Sequence, residues 1–475
     1  MTVSSPASHT AQELELLLDR HRAHAPTVKK TTARERTAKL DRMMAYLDRE
    51  EAKRDLLAAF AADLSKHEVE VLTSELGIIY GHVGHVKQHL GRWMAPRRVS
   101  TPLMLFGTRS YVHYEPKGCA LILSPWNYPL SLTLIPLVYA IAAGCTAVVK
   151  PSESTPRVTE FMRRMVAEVF PEEEVTVVTG EGDTAAALTA LPFDHIFFTG
   201  SPAIGKKVMA AAAENLASVT LELGGKSPCV IDRSVDIKKS SANVVWGKCF
   251  NAGQTCVAPD YLLIHRAVFD EYIAALEARV TEFYGTDPRA SPDLARIVNG
   301  RQFDHLKSLY DDALAKGAGV AFGGTFDRDE LYVSPTALVG VTEDMKIMRE
   351  EVFGPLWPVL PYASTGEAID IINRRAKPLA FYVQSRDRRV FRELVARTGA
   401  GGTLLNEMLL GTSNPSLPFG GVNNSGIGKG YGHEGFMEFT NGRSVMERRF
   451  LDLEMFYPPY TDRIVGLVRR MYKWL

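Results

Sequence analysis

The run Leu130–Val149 constrains this chain more than any other stretch. It is apolar apart from Ser131, Thr133, Tyr139, Cys145 and Thr146, and it is long enough to be mistaken for a membrane span. Pro129 and Pro136 bracket its start, Gly144 interrupts it, and Thr146, Val148 and Val149 make its end β-branched. Those features divide it into a helix followed by a strand with no polar face. A strand that is apolar on both faces belongs in a parallel sheet covered by helices on either side. A layered α/β fold is expected, with no membrane crossing here.

The flanking sequence repeats that arrangement. Ala120–Leu123, Ala147–Lys150, Val175–Thr179 and His195–Phe198 read as strands, each followed by a turn and a helical stretch. This is the βαβ pattern of a doubly wound parallel sheet. A second α/β series runs from Pro228 to about Glu407, with strands near Cys229–Ile231, Tyr261–His265, Pro358–Pro361, Ala380–Val383 and Gly402–Asn406. Ahead of both, Ala11 to about Gly91 reads as successive amphipathic helices, and Tyr111–Tyr114 as a short alternating strand. Leu410–Lys429 is a Gly/Asn/Ser-rich loop. No Pro-, Gly- or Ser-rich linker separates the two series, so packed domains with a cleft between them are expected.

The chain has 475 residues, 46% of them hydrophobic, enough for a large core and more than one domain. Lys+Arg and Asp+Glu both total 55, so no global field draws nucleic acid or an acidic membrane. The five cysteines (Cys119, Cys145, Cys229, Cys249, Cys256) form no Cys-x-x-Cys pair, and the twelve histidines show no metal spacing. Neither a disulfide framework nor a metal site is expected. Met1–Gln12 lacks the pattern of a signal peptide. The expected location is the reducing cytoplasm.

Two segments carry chemistry. Phe250-Asn251-Ala252-Gly253-Gln254-Thr255-Cys256 offers a thiol, and Leu221-Glu222-Leu223-Gly224-Gly225-Lys226-Ser227-Pro228 offers a carboxylate between leucines. A thiol attacks carbonyl carbon well only as thiolate, and a carboxylate in apolar surroundings is pushed toward the range of a general base. Together they suggest covalent catalysis on a carbonyl. A clean Gly-x-Gly-x-x-Gly fingerprint is missing; Gly180-Glu181-Gly182 begins one and does not finish it. Gly200-Ser-Pro-Ala-Ile-Gly205-Lys206-Lys207 misses the phosphate loop of nucleotide triphosphatases by one residue, because Lys207 stands where a magnesium-binding Ser or Thr belongs. That makes a triphosphatase a remote alternative.

With Pro125-Trp126-Asn127-Tyr128-Pro129, Lys150-Pro151-Ser152-Glu153, Phe198-Thr199-Gly200-Ser201, Glu351-Val352-Phe353-Gly354-Pro355 and Pro418-Phe419-Gly420-Gly421, these segments resemble the aldehyde dehydrogenase family in family order from about Tyr111 to Thr440. Asn251–Tyr261 and Tyr457-Pro458-Pro459-Tyr460 resemble its class 3-like branch of fatty, aromatic and coniferyl aldehyde dehydrogenases. The resemblance implies a Rossmann-type cofactor domain (1–221) packed on a second α/β catalytic domain (222–408). It also implies a closing segment (409–475) and a small β oligomerisation arm that uses the strand near 108–116 and the segment after Gly421.

The site residues follow from the same resemblance. Cys256 is expected to be the nucleophile, Asn127 with the Cys256 N–H the oxyanion hole, and Glu222 the base that hydrolyses a thioester. NAD is the expected cofactor, with NADP the alternative, contacted by Ser124, Trp126 and Leu223. Lys150 and Glu153 would hold the adenine ribose, Gly200, Ser201 and Gly205 the pyrophosphate, and Glu351 and Phe353 the nicotinamide side. Tyr80, Tyr128 and Trp246 would line a funnel for apolar aliphatic or aromatic aldehydes. Glu222 implies free acid as product, with a coenzyme A-acylating or reductive variant as the alternative. A homodimer is expected. Thr461–Leu475 reads as a basic amphipathic helix, too short at fifteen residues after Tyr460 to cross a bilayer. It would close the fold or cover a neighbour's substrate mouth, with peripheral membrane contact as the alternative.

Overall fold

The structure, a computed structural model, describes residues 9–102, 105–450, 454 and 457–472. Residues 473–475 of the basic tail lie outside them. The apolar run divides as its prolines and glycine dictate: Ser131–Ala143 is a helix, and Thr146–Lys150 is a strand buried at every position. Gly144 ends the helix with φ +88°, a conformation a side chain would strain; a Cβ there would also meet the Arg36 guanidinium at 2.4 Å. Arg36 Nη1 donates to Ala142 O at 2.9 Å, so a buried cation takes up a carbonyl the helix end leaves free.

Among the described residues a six-stranded sheet runs, from one edge, Gly426–Ile427, Ser218–Leu223, His195–Gly200, Cys119–Leu123, Thr146–Lys150 and Val175–Val177. All neighbours are parallel except Gly426–Ile427, which lies antiparallel to Ser218–Leu223. The chain starts in the middle, winds out to one edge, then returns to the other side. Its switch point therefore falls between Cys119–Leu123 and His195–Gly200, and a crevice opens beyond their carboxyl ends. Ser124–Asn127 and Ser201 leave from that crevice.

The second sheet has seven strands in the order Gly319–Phe322, Thr336–Val339, Leu356–Tyr362, Tyr261–His265, Pro228–Ile231, Ala380–Gln384, Gly402–Leu405. Only its first pair is antiparallel. Gly224–Ser227 joins the two sheets directly, which brings the carboxyl end of one against the other. Thr108–Pro116 pairs antiparallel with Thr440–Arg448 across nine residues, with Arg97–Arg98 alongside, to form the separate arm. The N-terminal helices begin at Thr10 and Thr32, each with a complete capping box. A π-helical turn, Leu72–Leu76, joins Glu68–Val71 to Gly77–Trp93. No helix among the described residues is long and apolar enough to cross a membrane. The fold is thus the expected mixed α/β one with parallel sheets.

Candidate active site

Cys256 lies on a loop whose path is set by a tight, strained turn. The helix Ile237–Cys249 gives way to Phe250–Gly253, where Asn251, Ala252 and Gly253 all have left-handed φ (+53°, +52°, +74°). Two of these carry side chains, and such residues persist only where their surroundings over-determine them. The surroundings do so here. Asn251 Nδ2 donates to Asn127 O at 2.8 Å and Gln254 O at 3.2 Å, and Asn127 Nδ2 donates to Gln254 O at 3.0 Å. Gln254 in turn bonds Asn251 O, Arg296 O and Val298 N. The turn after the first central strand and the cysteine loop are thereby locked together. One Asn127 amide hydrogen is engaged by Gln254 O, and the other has no acceptor among the described residues.

Burial, then the carboxylates of Glu351 and Glu222, push the Cys256 thiol up to about 12, while the amides of Cys256 and Val257 pull the other way. The resting sulfur is therefore a thiol, not the ready thiolate its motif suggests. Burial also raises Glu222 well above the carboxylate range, helped by Glu438 and opposed by Lys429 and the Gly430 amide. Both Glu222 oxygens lack a hydrogen-bond partner among the described residues. Burial raises Glu351 to about 8, with Asp260 adding to it and the Gly225 amide opposing.

Cys256 opens on a cavity of about 110 Å³. Ile78, Leu132, Trp246, Phe250, Phe419 and Tyr431 supply apolar walls, and the hydroxyls of Thr73, Ser74, Ser131 and Thr412 interrupt them. Among the described residues no charged side chain lines it. Tyr128 also lines it, its hydroxyl 2.7 Å from Thr255 Oγ1. Tyr80 does not. It is 38% exposed and its hydroxyl donates to Asp48. On a helix, two residues turn the side chain through roughly 200°, so the wall position of Gly77–Trp93 is Ile78 and Tyr80 faces outward. The funnel expectation is corrected there.

None of the residues expected to hold a dinucleotide lines this cavity. Lys150 Nζ is 3.0 Å from Glu153 Oε2, and Lys150 O accepts from Ser124 N at 3.1 Å. Ser124 Oγ is buried without a partner among the described residues. Ser201 caps the helix Pro202–Glu214, its Oγ accepting from Ile204 N at 3.4 Å. A Cβ on Gly205 would meet Leu223 at 2.7 Å, so glycine permits that helix to approach the sheet. A Cβ on Gly224 would meet Glu351 Oε2 at 2.1 Å, so Gly224 leaves the carboxylate its place. Trp126 and Phe353 meet edge to face at 5.3 Å. An orphaned hydroxyl, a Lys–Glu pair at a strand end, a helix N-terminus and glycine-lined walls fit a dinucleotide. Among the described residues no group of His, Cys, Asp and Glu could hold a metal ion.

Sequence reasoning missed Ile78, Phe419 and Tyr431 as wall residues, and Lys66, Glu70 and Glu75 beneath the site. Helical phase was the available signal for Ile78. No signal marked the three charges, since charged residues on an amphipathic helix are ordinarily solvated.

Fold and site together define an α/β protein with a half-buried thiol at the end of a cavity that no charged side chain among the described residues lines, and a sheet-end crevice whose residues fit a dinucleotide. Residues 2–445 match the aldehyde dehydrogenase family, and the chain belongs to that family of oxidoreductases. It is 44% identical over 410 residues, 86% of this chain and 89% of the relative, to a 4,4'-diaponeurosporen-aldehyde dehydrogenase of Staphylococcus aureus. It is 38% identical over 466 residues, 97% of this chain and 96% of the relative, to a probable coniferyl aldehyde dehydrogenase of Pseudomonas aeruginosa. The solved structure of substrate-bound Staphylococcus aureus AldH superposes with a TM-score of 0.91 at 39% identity, covering 97% of this chain and 99% of that one.

Proposed function

We propose that the protein oxidises apolar aliphatic or aromatic aldehydes to free carboxylic acids with NAD, NADP being the alternative acceptor. The observation that carries this reading is the uncharged cavity ending on Cys256, with the buried carboxyl groups of Glu222 and Glu351 close enough to perturb the thiol. Cys256 Sγ adds to the aldehyde carbon as its proton passes to the Glu222 carboxylate, which releases it to solvent before the hydrolytic step. The Cys256 N–H and the free Asn127 amide hydrogen receive the developing oxyanion. When bound, the oxidised nicotinamide supplies the hydride acceptor and a positive charge that favours the thiolate. Lys150, Glu153, Ser201, Gly205, Glu351 and Phe353 would hold that dinucleotide, with Ser124, Trp126, Gly200 and Leu223 in its walls. The adduct that has lost hydride is a thioester on Cys256. Glu222 takes a proton from water as the water oxygen attacks it; the acid leaves and Cys256 regains its proton.

The domain division, 1–221, 222–408 and 409–475, follows from this assignment. Tyr128 and Trp246 select apolar chains. The arm pairs two copies into a homodimer, and the tail covers the neighbour's cavity mouth, with lipid contact the alternative. The cytoplasm remains the proposed location. Glu222→Gln tests the hydrolytic step. With aldehyde and NAD, intact mass should show an acyl adduct on Cys256 and only slow acid release, unaffected by coenzyme A. Full acid release by Glu222→Gln, or product formed only with coenzyme A, would contradict the assignment.

A further inference from the structure

The cysteine loop and the Asn127 turn rest on charged side chains that no step above uses. Lys66, Glu70 and Glu75 lie between the helices Glu50–Leu64 and Gly77–Trp93 and are only 3%, 8% and 0% exposed. Lys66 Nζ is 3.5 Å from Glu75 Oε1 and 3.9 Å from the centroid of the Tyr128 ring. Glu75 Oε2 accepts from Ser131 N at 2.6 Å, at the start of the helix that follows the Asn127 turn. Glu70 Oε2 accepts from Asn251 N at 2.9 Å, the first amide of the left-handed turn that leads to Cys256. The π-helical turn Leu72–Leu76 aims Glu75 inward while Thr73 and Ser74 face the cavity, and such turns recur at functional sites.

Burying charge is a poor way to gain stability, since well-packed apolar residues of the same volume often do as well or better. What these three charges add is direction. Glu70 grips the cysteine loop; Glu75 and Lys66 grip the segment from Asn127 to Ser131. The two grips meet through the Asn251–Asn127 bond and through the Tyr128–Thr255 hydroxyl pair. We propose that Lys66, Glu70 and Glu75 act together as a positioning clamp that fixes the Cys256 thiol and the Asn127 amide at reacting distance from one another. Burial lowers the Lys66 pKa and raises those of Glu70, to about 7, and Glu75, while attraction between lysine and glutamates opposes each shift. Each partner thus helps keep the other charged.

The clamp rests on the assignment of Cys256 as nucleophile, so the experiment separates the two. Native protein, Cys256→Ala, Glu70→Gln, Glu70→Asp and Lys66→Met, all full-length, are compared for kcat and KM with hexanal and NAD. Thermal midpoint and the rate of Cys256 alkylation by iodoacetamide are read alongside. Glu70→Gln keeps an acceptor at the Asn251 amide, whereas Glu70→Asp withdraws it by one methylene. The clamp predicts a kcat about tenfold or more lower in Glu70→Asp, largely restored in Glu70→Gln, with KM for NAD within about twofold, as expected for lost orientation. The alkylation rate should change in the same order. Native kcat in Glu70→Asp, whatever its thermal midpoint, overturns the clamp and leaves the nucleophile reading standing. Full turnover by Cys256→Ala overturns the nucleophile reading itself. Should Lys66→Met not fold, the Glu70 pair decides.

Discussion

At the scale of the residue, the thiol is the point of tension. The motif around Cys256 suggests an activated nucleophile, yet burial and two neighbouring carboxyl groups hold its pKa near 12 in the free protein. The other four cysteines are buried, whereas Cys256 is half-buried and opens on the cavity, and burial raises the pKa values of those four. Alkylation by iodoacetamide should therefore report Cys256. The thiolate is the reactive form, and the raised pKa keeps it a small fraction until far above neutral pH. The rate in free protein is expected to rise about tenfold per pH unit from pH 7 to 10 without levelling. A plateau near pH 9 would show an ordinary thiol and contradict the burial argument. Glu222 has the matching sign: burial raises its pKa well above the carboxylate range, so thioester hydrolysis should still be rising with pH where an ordinary carboxylate would already be fully ionised.

At the scale of the element, the left-handed turn Asn251–Gly253 links the cysteine loop to the Glu351–Phe353 segment. Gly253 has φ +74°, and a Cβ there would sit 2.4 Å from Gly354 O, a backbone atom with no room to yield. Gly253→Ala is expected to cost roughly 1–3 kcal/mol from strain alone and to lower kcat by displacing both segments. Denaturant midpoints read the first effect and steady-state kinetics the second; stability and kcat both at native levels would contradict this account of the turn.

The same element shows what the sequence could and could not disclose. Cys256, Glu222 and Asn127 stood out because their chemistry is written into contiguous motifs. The division of Leu130–Val149 stood out because Gly144 and the β-branched end are local signals. Lys66, Glu70 and Glu75 did not, because their partners Ser131, Tyr128 and Asn251 are distant in the chain. Tyr80 is close to the cavity in sequence, but the helical phase of Gly77–Trp93 gives the wall position to Ile78 and turns Tyr80 toward Asp48.

At the scale of the whole molecule, none of the residues proposed to hold the dinucleotide lines the cavity that ends on Cys256, so under the proposed function dinucleotide and aldehyde need not share one pocket. The arm formed by Thr108–Pro116 and Thr440–Arg448 stands apart from both sheets. The tail helix Asp462–Met471 keeps Val465 and Val468 37% and 45% exposed in the single chain, which leaves an apolar stripe for a neighbour to cover. Removing residues 461–475 is therefore expected to loosen the proposed dimer or shift the preference among aldehyde chain lengths. Turnover of a short soluble aldehyde should be unchanged. Light scattering and a chain-length series would check this; an unchanged dimer with unchanged preference would contradict it.

The central claim is that Cys256 mediates hydride transfer from apolar aldehydes to a nicotinamide dinucleotide. Its most direct test follows absorbance of the reduced nicotinamide with native protein and Cys256→Ala, offered NAD or NADP with hexanal, decanal, benzaldehyde or coniferaldehyde. The account predicts reduction by native protein with apolar aldehydes and none by Cys256→Ala, although that variant still binds the dinucleotide. Reduction that persists in Cys256→Ala, or native protein that binds neither dinucleotide, would contradict it.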